Sequence, residues 1–155
     1  MLCVNWSVRS RSEDNDGPEM DHTTWEASGH YLCAGRAGPS NTRAEDRVEL
    51  VSLPFEQSSQ DGPDCVVTLH FWAYKVGSGR LSLTARTSDE EEVQLWSSSP
   101  QESNGWRRAR VSVSNSRTAA GGFILVLIAT VAGDAERELA VDDIALSPEC
   151  RLANR

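Results

Sequence analysis

From Gly29 onward the chain runs in short apolar stretches broken by Gly, Pro, Ser and Asn: Tyr31 to Ala34, Arg47 to Leu53, Val66 to Tyr74, Arg80 to Arg86, Val93 to Trp96, Trp106 to Val113, Phe123 to Val131 and Leu139 to Leu146. Several of them alternate strictly. Leu81, Leu83 and Ala85 share one face against Arg80, Ser82, Thr84 and Arg86, and Ala109, Val111 and Val113 oppose Arg108, Arg110, Ser112 and Ser114. A period of 2 is the mark of a strand with one face on a core. No stretch carries the cap and the three-to-four spacing of an amphipathic helix, and helix formers gather only in the acidic turn Asp89-Glu90-Glu91-Glu92. Residues 1–28 are polar, with a Gly17-Pro18 break and room for one strand between Cys3 and Val8. Short strands separated by Gly77-Ser78-Gly79, Asn104-Gly105 and Gly121-Gly122 predict an all-β, two-sheet antiparallel sandwich without internal repeats.

Composition narrows the function. The chain has 155 residues, 39% of them hydrophobic, which suits one domain with its own core. With 15 Lys plus Arg against 23 Asp plus Glu, its net charge of -8 opposes a phosphate backbone, so nucleic acid is not an expected partner. The longest apolar run, Phe123 to Ala132, is about half of what a helix needs to cross ~30 Å of hydrocarbon. It reads as a core strand. Met1-Leu2-Cys3-Val4 leads directly into Arg9, Arg11, Glu13, Asp14 and Asp16, so this stretch is not expected to act as a secretory leader.

The inventory for catalysis is thin. His22, His30 and His70 are scattered, without a zinc-binding H-E-x-x-H pair, a G-x-S-x-G elbow or a glycine-rich phosphate loop. The expectation is a non-enzyme, with His30 and His70 as strand residues that pack or hydrogen-bond. Asp142 and Asp143 are neighbours on one strand, and Asp142 shares the parity of Ile144 and Leu146. An inward Asp142 would need a cation, an arginine or several backbone amides, because an uncompensated buried charge is costly. Trp106-Arg107-Arg108-Ala109-Arg110 could meet an anionic glycan, but alternation turns Arg108 and Arg110 to the solvent face of an ordinary strand. Asn5-Trp6-Ser7 is a glycosylation sequon if the chain is exported.

The ordered set of motifs from Asp21 to Cys150 resembles the MAM domain, an extracellular module named for meprin, A5 antigen and receptor protein tyrosine phosphatase mu. Its elements are Asp21-His22-Thr23-Thr24, Gly29-His30-Tyr31-Leu32, Arg47 to Pro54, Leu69 to Tyr74 after Cys65, Leu95-Trp96, Gly105-Trp106-Arg107, and Leu139 to Leu146 before Cys150. The resemblance implies a jelly-roll-like sandwich over residues 21–150, with 1–20 as the remnant of the first strands and 151–155 as a tail. It implies a disulfide between Cys65 and Cys150. It matches Cys3 to a cysteine whose partner lies upstream of Met1, leaving Cys3 with Cys33 as the alternative pair. A structural Ca²⁺ or Na⁺ would suit the oxygen ligands of Asp14, Asp16 and Asp142, the other reading of Asp142 being a carboxylate paired with Arg or capping a turn. Trp72, Trp96 and Trp106 coincide with the family's core aromatics, leaving Trp25 and Trp6 as surface anchors. The implied role is adhesion, receptor assembly or oligomerisation with cell-surface protein partners, homophilic ones among them. The alternatives are a carbohydrate-binding jelly roll that uses Trp25 or Trp6 and the accessory domain of a MAM-bearing metalloproteinase.

Overall fold

A computed structural model describes residues 4–9, 18, 20–26, 28–36, 46–57, 62–72, 79–98, 105–114, 121–131 and 139–153. The described strands are β1 (Val4–Arg9), β2 (Tyr31–Arg36), β3 (Asp46–Val51), β4 (Cys65–Trp72), β5 (Arg80–Thr87), β6 (Glu92–Ser97), β7 (Arg107–Val113), β8 (Phe123–Val131) and β9 (Leu139–Leu146). They follow the apolar stretches read from the sequence, and the segment between Cys3 and Val8 supplies β1.

A five-stranded sheet in the order β1-β2-β9-β4-β7 faces a four-stranded sheet in the order β3-β8-β5-β6. All pairings are antiparallel. Only β1-β2 and β5-β6 are consecutive strands paired in one sheet; every other connection passes between sheets. From β2 to β9 this interleaving gives the two Greek keys of a jelly roll. The acidic turn closes the β5-β6 hairpin, with Thr87 N–H donating to Glu91 O at 2.9 Å and Glu90 at φ 62°.

The alternating residues supply the core between the sheets: Val67, Leu69 and Phe71 from β4, Leu81, Leu83 and Ala85 from β5, Ala109, Val111 and Val113 from β7, and Leu125, Leu127 and Ala129 from β8. Trp96 joins it edge-on to Phe71, with ring centroids 5.1 Å apart. Phe55 stacks on Phe123 and bridges to both Phe123 and Leu152, so residues 151–153 are tied to the body. Gly122, at φ 90°, makes that approach possible: a Cβ there would stand 2.5 Å from Phe55 O. The Sγ atoms of Cys65 and Cys150 are bonded at 2.00 Å.

A second apolar cluster lies on the outer face of the five-stranded sheet, where Tyr31, Cys33, Trp72 and Ala140 are buried with Trp106 packed against them. These residues alternate with those of the main core along β2, β4 and β9. The sheet is therefore apolar on both faces at its middle, and something must cover the outer one.

Candidate functional site

The segment around residues 20–26 docks on this face, through Trp106 and the outward side chains of β9. Asp21, 2% exposed, organises it from within: its carboxylate accepts from Thr24 N at 2.9 Å, Thr24 Oγ1 at 2.6 Å and Glu26 N at 3.1 Å. Burial works to raise its pKa, but these hydrogen bonds to the ionised form outweigh it and hold the carboxyl below its ordinary range. The turn is tight. A Cβ on Gly29 would fall 2.2 Å from Asp21 Cγ. Trp106 Nε1 donates to Met20 O at 2.8 Å and so fastens the near end of the segment to the sheet.

The far end is fastened by β9. Asp142 Oδ2 accepts from His22 N at 2.9 Å and Thr23 N at 3.3 Å, and Asp142 Oδ1 accepts from Asp143 N at 2.9 Å. Asp143 Oδ1 accepts from Thr23 Oγ1 at 2.6 Å, and its Oδ2 lies 2.6 Å from His22 Nδ1. Because an ionised carboxylate can only accept, Nδ1 carries the proton in that contact. The donors His22 and Thr23 hold the Asp143 carboxyl below its ordinary pKa.

Asp142 does not face the core, and the parity argument fails at its neighbour. Asp143 has φ 49°, and it and Ile144 together stand opposite the single residue Leu69, where the β4-β9 register shifts between Thr68 and His70. This bulge inserts one residue. Asp142 keeps the outward direction of Ala140, while Ile144 and Leu146 turn to the space between the sheets. Backbone amides, one of the three kinds of partner anticipated for it, satisfy Asp142. Asp14, Asp16 and Cys3 lie outside the described residues; Cys33 is buried in β2, and Asn5 lies in β1 opposite Gly35.

His70 is the outward residue of β4 directly opposite Asp142. Its ring stacks on His22 with centroids 3.6 Å apart and planes 15° from parallel. Trp25, 56% exposed and at φ 59°, tilts against the His22 ring at 5.1 Å, and Trp106 meets His22 by an edge at 6.1 Å. His70 Nδ1 is buried without a hydrogen-bond partner. Burial is the main cause of its lowered pKa; the His22 and Arg108 charges add to it and those of Asp143 and Asp142 oppose it. The ligand atoms of His22, His70 and Asp143 fall within 4.8 Å of one another. Yet imidazole lone pairs lie in the ring plane, so two nearly parallel stacked rings cannot both aim at one ion. The cluster as built holds a loop.

Of the residues singled out in the sequence, Trp72 and Trp106 serve this outer cluster and Trp96 the inner core. Trp6 is not a surface anchor: it packs partly buried against the inner core. Arg108 and Arg110 are exposed. Sequence reasoning missed the meeting of His22 and His70; the outward parity of His70 between Leu69 and Phe71 was visible, but nothing in the order of residues says that position 22 lies above position 70.

The sequence profile of the MAM domain, meprin/A5/mu, matches residues 3–151. The chain belongs to the MAM family. The MAM chain is 28% identical over 156 residues to neuropilin-1a of Danio rerio, an alignment covering 96% of this chain and 16% of that protein. It thus spans about a sixth of the curated relative's length. Among solved structures, the enzymatically active domain of tailspike protein 4 from bacteriophage CBA120 superposes with a TM-score of 0.51 at 12% identity, over 94% of the MAM chain and 18% of the tailspike. That likeness is one of fold alone. The family 11 carbohydrate-binding module of a Clostridium thermocellum cellulase overlays less closely, with a TM-score of 0.44 at 10% identity over 99% of this chain and 88% of that one. No helix among the described residues is long and apolar enough to cross a membrane.

Proposed function

We propose that this MAM chain is a non-catalytic protein-interaction module of the extracellular or cell-surface space, working in adhesion, receptor assembly or oligomerisation. The family match along residues 3–151 carries the reading. The Cys65–Cys150 bridge supports the compartment, because structural disulfides persist where the surroundings are oxidising. The surface supports the mode of action. Beside an inter-sheet cleft of about 230 Å³ lined by Leu50, Val67, Leu125, Ile144 and Leu146, the side chains of Val51, Leu53 and Leu152 are each more than half exposed. Apolar surface gathered in this way is what a protein partner buries.

The test uses the oxidised chain in solution and on fluorescent beads. Clustering of the beads, or their capture by cells or purified ectodomains, is expected, and Leu53→Asp with Leu152→Asp should weaken it at least tenfold without altering the fold. A strictly monomeric chain on sedimentation, together with beads that neither cluster nor bind cells or ectodomains, would remove the proposal.

A further inference from the structure

We infer that Asn5 is an N-glycosylation site, and that the fold carries its glycan at the open edge of the five-stranded sheet. The inference rests on the extracellular reading above, because the modifying enzyme works in the secretory compartment. Asn5-Trp6-Ser7 meets the demand of the acceptor triplet, a hydroxyl two residues after the asparagine with no proline between them. No other asparagine of the chain heads such a triplet. Position in the fold then decides whether the triplet is usable, since a bulky, hydrated glycan must stand at the surface of the finished structure. Strand β1 is the terminal strand of its sheet and pairs with β2 alone among the described strands. Residues directly opposite one another in an antiparallel pair share a face. Trp6 stands opposite Ala34, and both belong to the inner core, whereas Ser7 stands opposite Cys33 of the outer cluster. The period of 2 therefore places Asn5 on the outer face with Ser7. Its own opposite is Gly35. Opposed Cβ atoms would otherwise stand ~4.5–5.5 Å apart, and glycine leaves that neighbouring position without a side chain.

The modification is a group transfer from a polyprenyl pyrophosphate-linked oligosaccharide of the secretory membrane. The side-chain amide nitrogen of Asn5 attacks C1 of the first sugar. The N–C1 bond forms as the C1–O bond to the pyrophosphate breaks, the lipid pyrophosphate leaves with the electron pair, and the nitrogen gives up one proton. The same oxidising compartment suits the Cys65–Cys150 bridge. The edge also has a use for the sugar. An edge strand offers unpaired N–H and C=O groups to any other strand, and charged residues or prolines are the ordinary guards against such pairing. Strand β1 has no proline, its sole charged residue is the terminal Arg9, and Val8 is 63% exposed. A hydrated glycan on Asn5 bars strand addition there.

Expression behind a secretory leader in mammalian cells tests the site, with medium and lysate both read by intact mass and by peptide mapping without reduction. A single N-glycan on the peptide that holds Asn5, released by peptide-N-glycosidase, is the expected result. Asn5→Gln and Ser7→Ala should each abolish it, while Ser7→Thr, which keeps the hydroxyl, should retain it. A chain that forms the Cys65–Cys150 bridge yet leaves Asn5 unmodified in both fractions overturns the proposal and leaves the extracellular reading standing. A chain with neither bridge nor glycan removes both. For the edge, Leu53→Asp with Leu152→Asp is placed in both proteins so that the cleft does not contribute, and light scattering on warming should then grow several-fold faster in Asn5→Gln than in the glycosylated chain. Equal growth would overturn the guarding role.

Discussion

A single buried carboxylate organises the segment over the outer face. Asp21 spends its two oxygens on Thr24 and Glu26, and the space its carboxyl fills is the space a side chain on Gly29 would need. The two positions are thus one feature. Asp21→Asn should cost about 2 kcal/mol, since hydrogen bonds to a charged acceptor contribute roughly 1.5–3 kcal/mol. Gly29→Ala should cost at least as much by displacing the carboxyl. In the double variant Asp21→Ala, Gly29→Ala the losses should fall short of additive by at least ~1 kcal/mol, because the methyl then meets no carboxyl. Urea unfolding of the wild type, Asp21→Ala, Gly29→Ala and the double variant measures the coupling, and strictly additive losses would show that the clash is absorbed elsewhere.

At the scale of the element, β9 carries two surfaces on one strand. Leu139 and Val141 face the main core; after the bulge at Asp143, Ile144 and Leu146 face the inter-sheet cleft, and Asp142 remains outside with His70. Without the extra residue, Ile144 and Leu146 would point to the outer face and the cleft would lose one wall. Asp143 meets two demands, a left-handed backbone at φ 49° and acceptance from His22 and Thr23. Asparagine tolerates that backbone and keeps an acceptor, whereas a β-branched residue does neither. Asp143→Val should therefore be less stable than Asp143→Asn by about 2 kcal/mol or more, the sum of roughly 1–2 kcal/mol of backbone strain and a lost hydrogen bond. Thermal unfolding of both compares them directly; equal midpoints would mean that the bulge rearranges at little cost. The alternation of β5 and β7 was legible because each keeps one parity against the core along its length. The parity of β9 was not, since a bulge is set by the φ of one residue and by what lies opposite it.

At the scale of the whole molecule, the Cys65–Cys150 bridge ties the start of β4 to the segment that follows β9, across a separation of 85 residues. Ser147 N–H donating to Val66 O at 2.9 Å secures the same corner. Restricting so long a loop in the unfolded chain contributes about 4–5 kcal/mol in the chain-entropy picture. The variant Cys65→Ser, Cys150→Ser should lose stability of that order in guanidinium unfolding, and a loss below ~1 kcal/mol would assign the bridge little weight. Pattern alone determined the class of this protein: a period of 2 needs no knowledge of distant neighbours, and the ordered motifs carried the family likeness because order along a chain is what a sequence records. Tertiary structure decided which residues meet. That His22 lies on His70, that Asp142 points outward, and that residues 22 and 23 dock on Asp142 and Asp143 all depend on contacts between positions up to 121 apart in the chain. Such contacts form when two surfaces are buried together, and their geometry is written in no single stretch of either one.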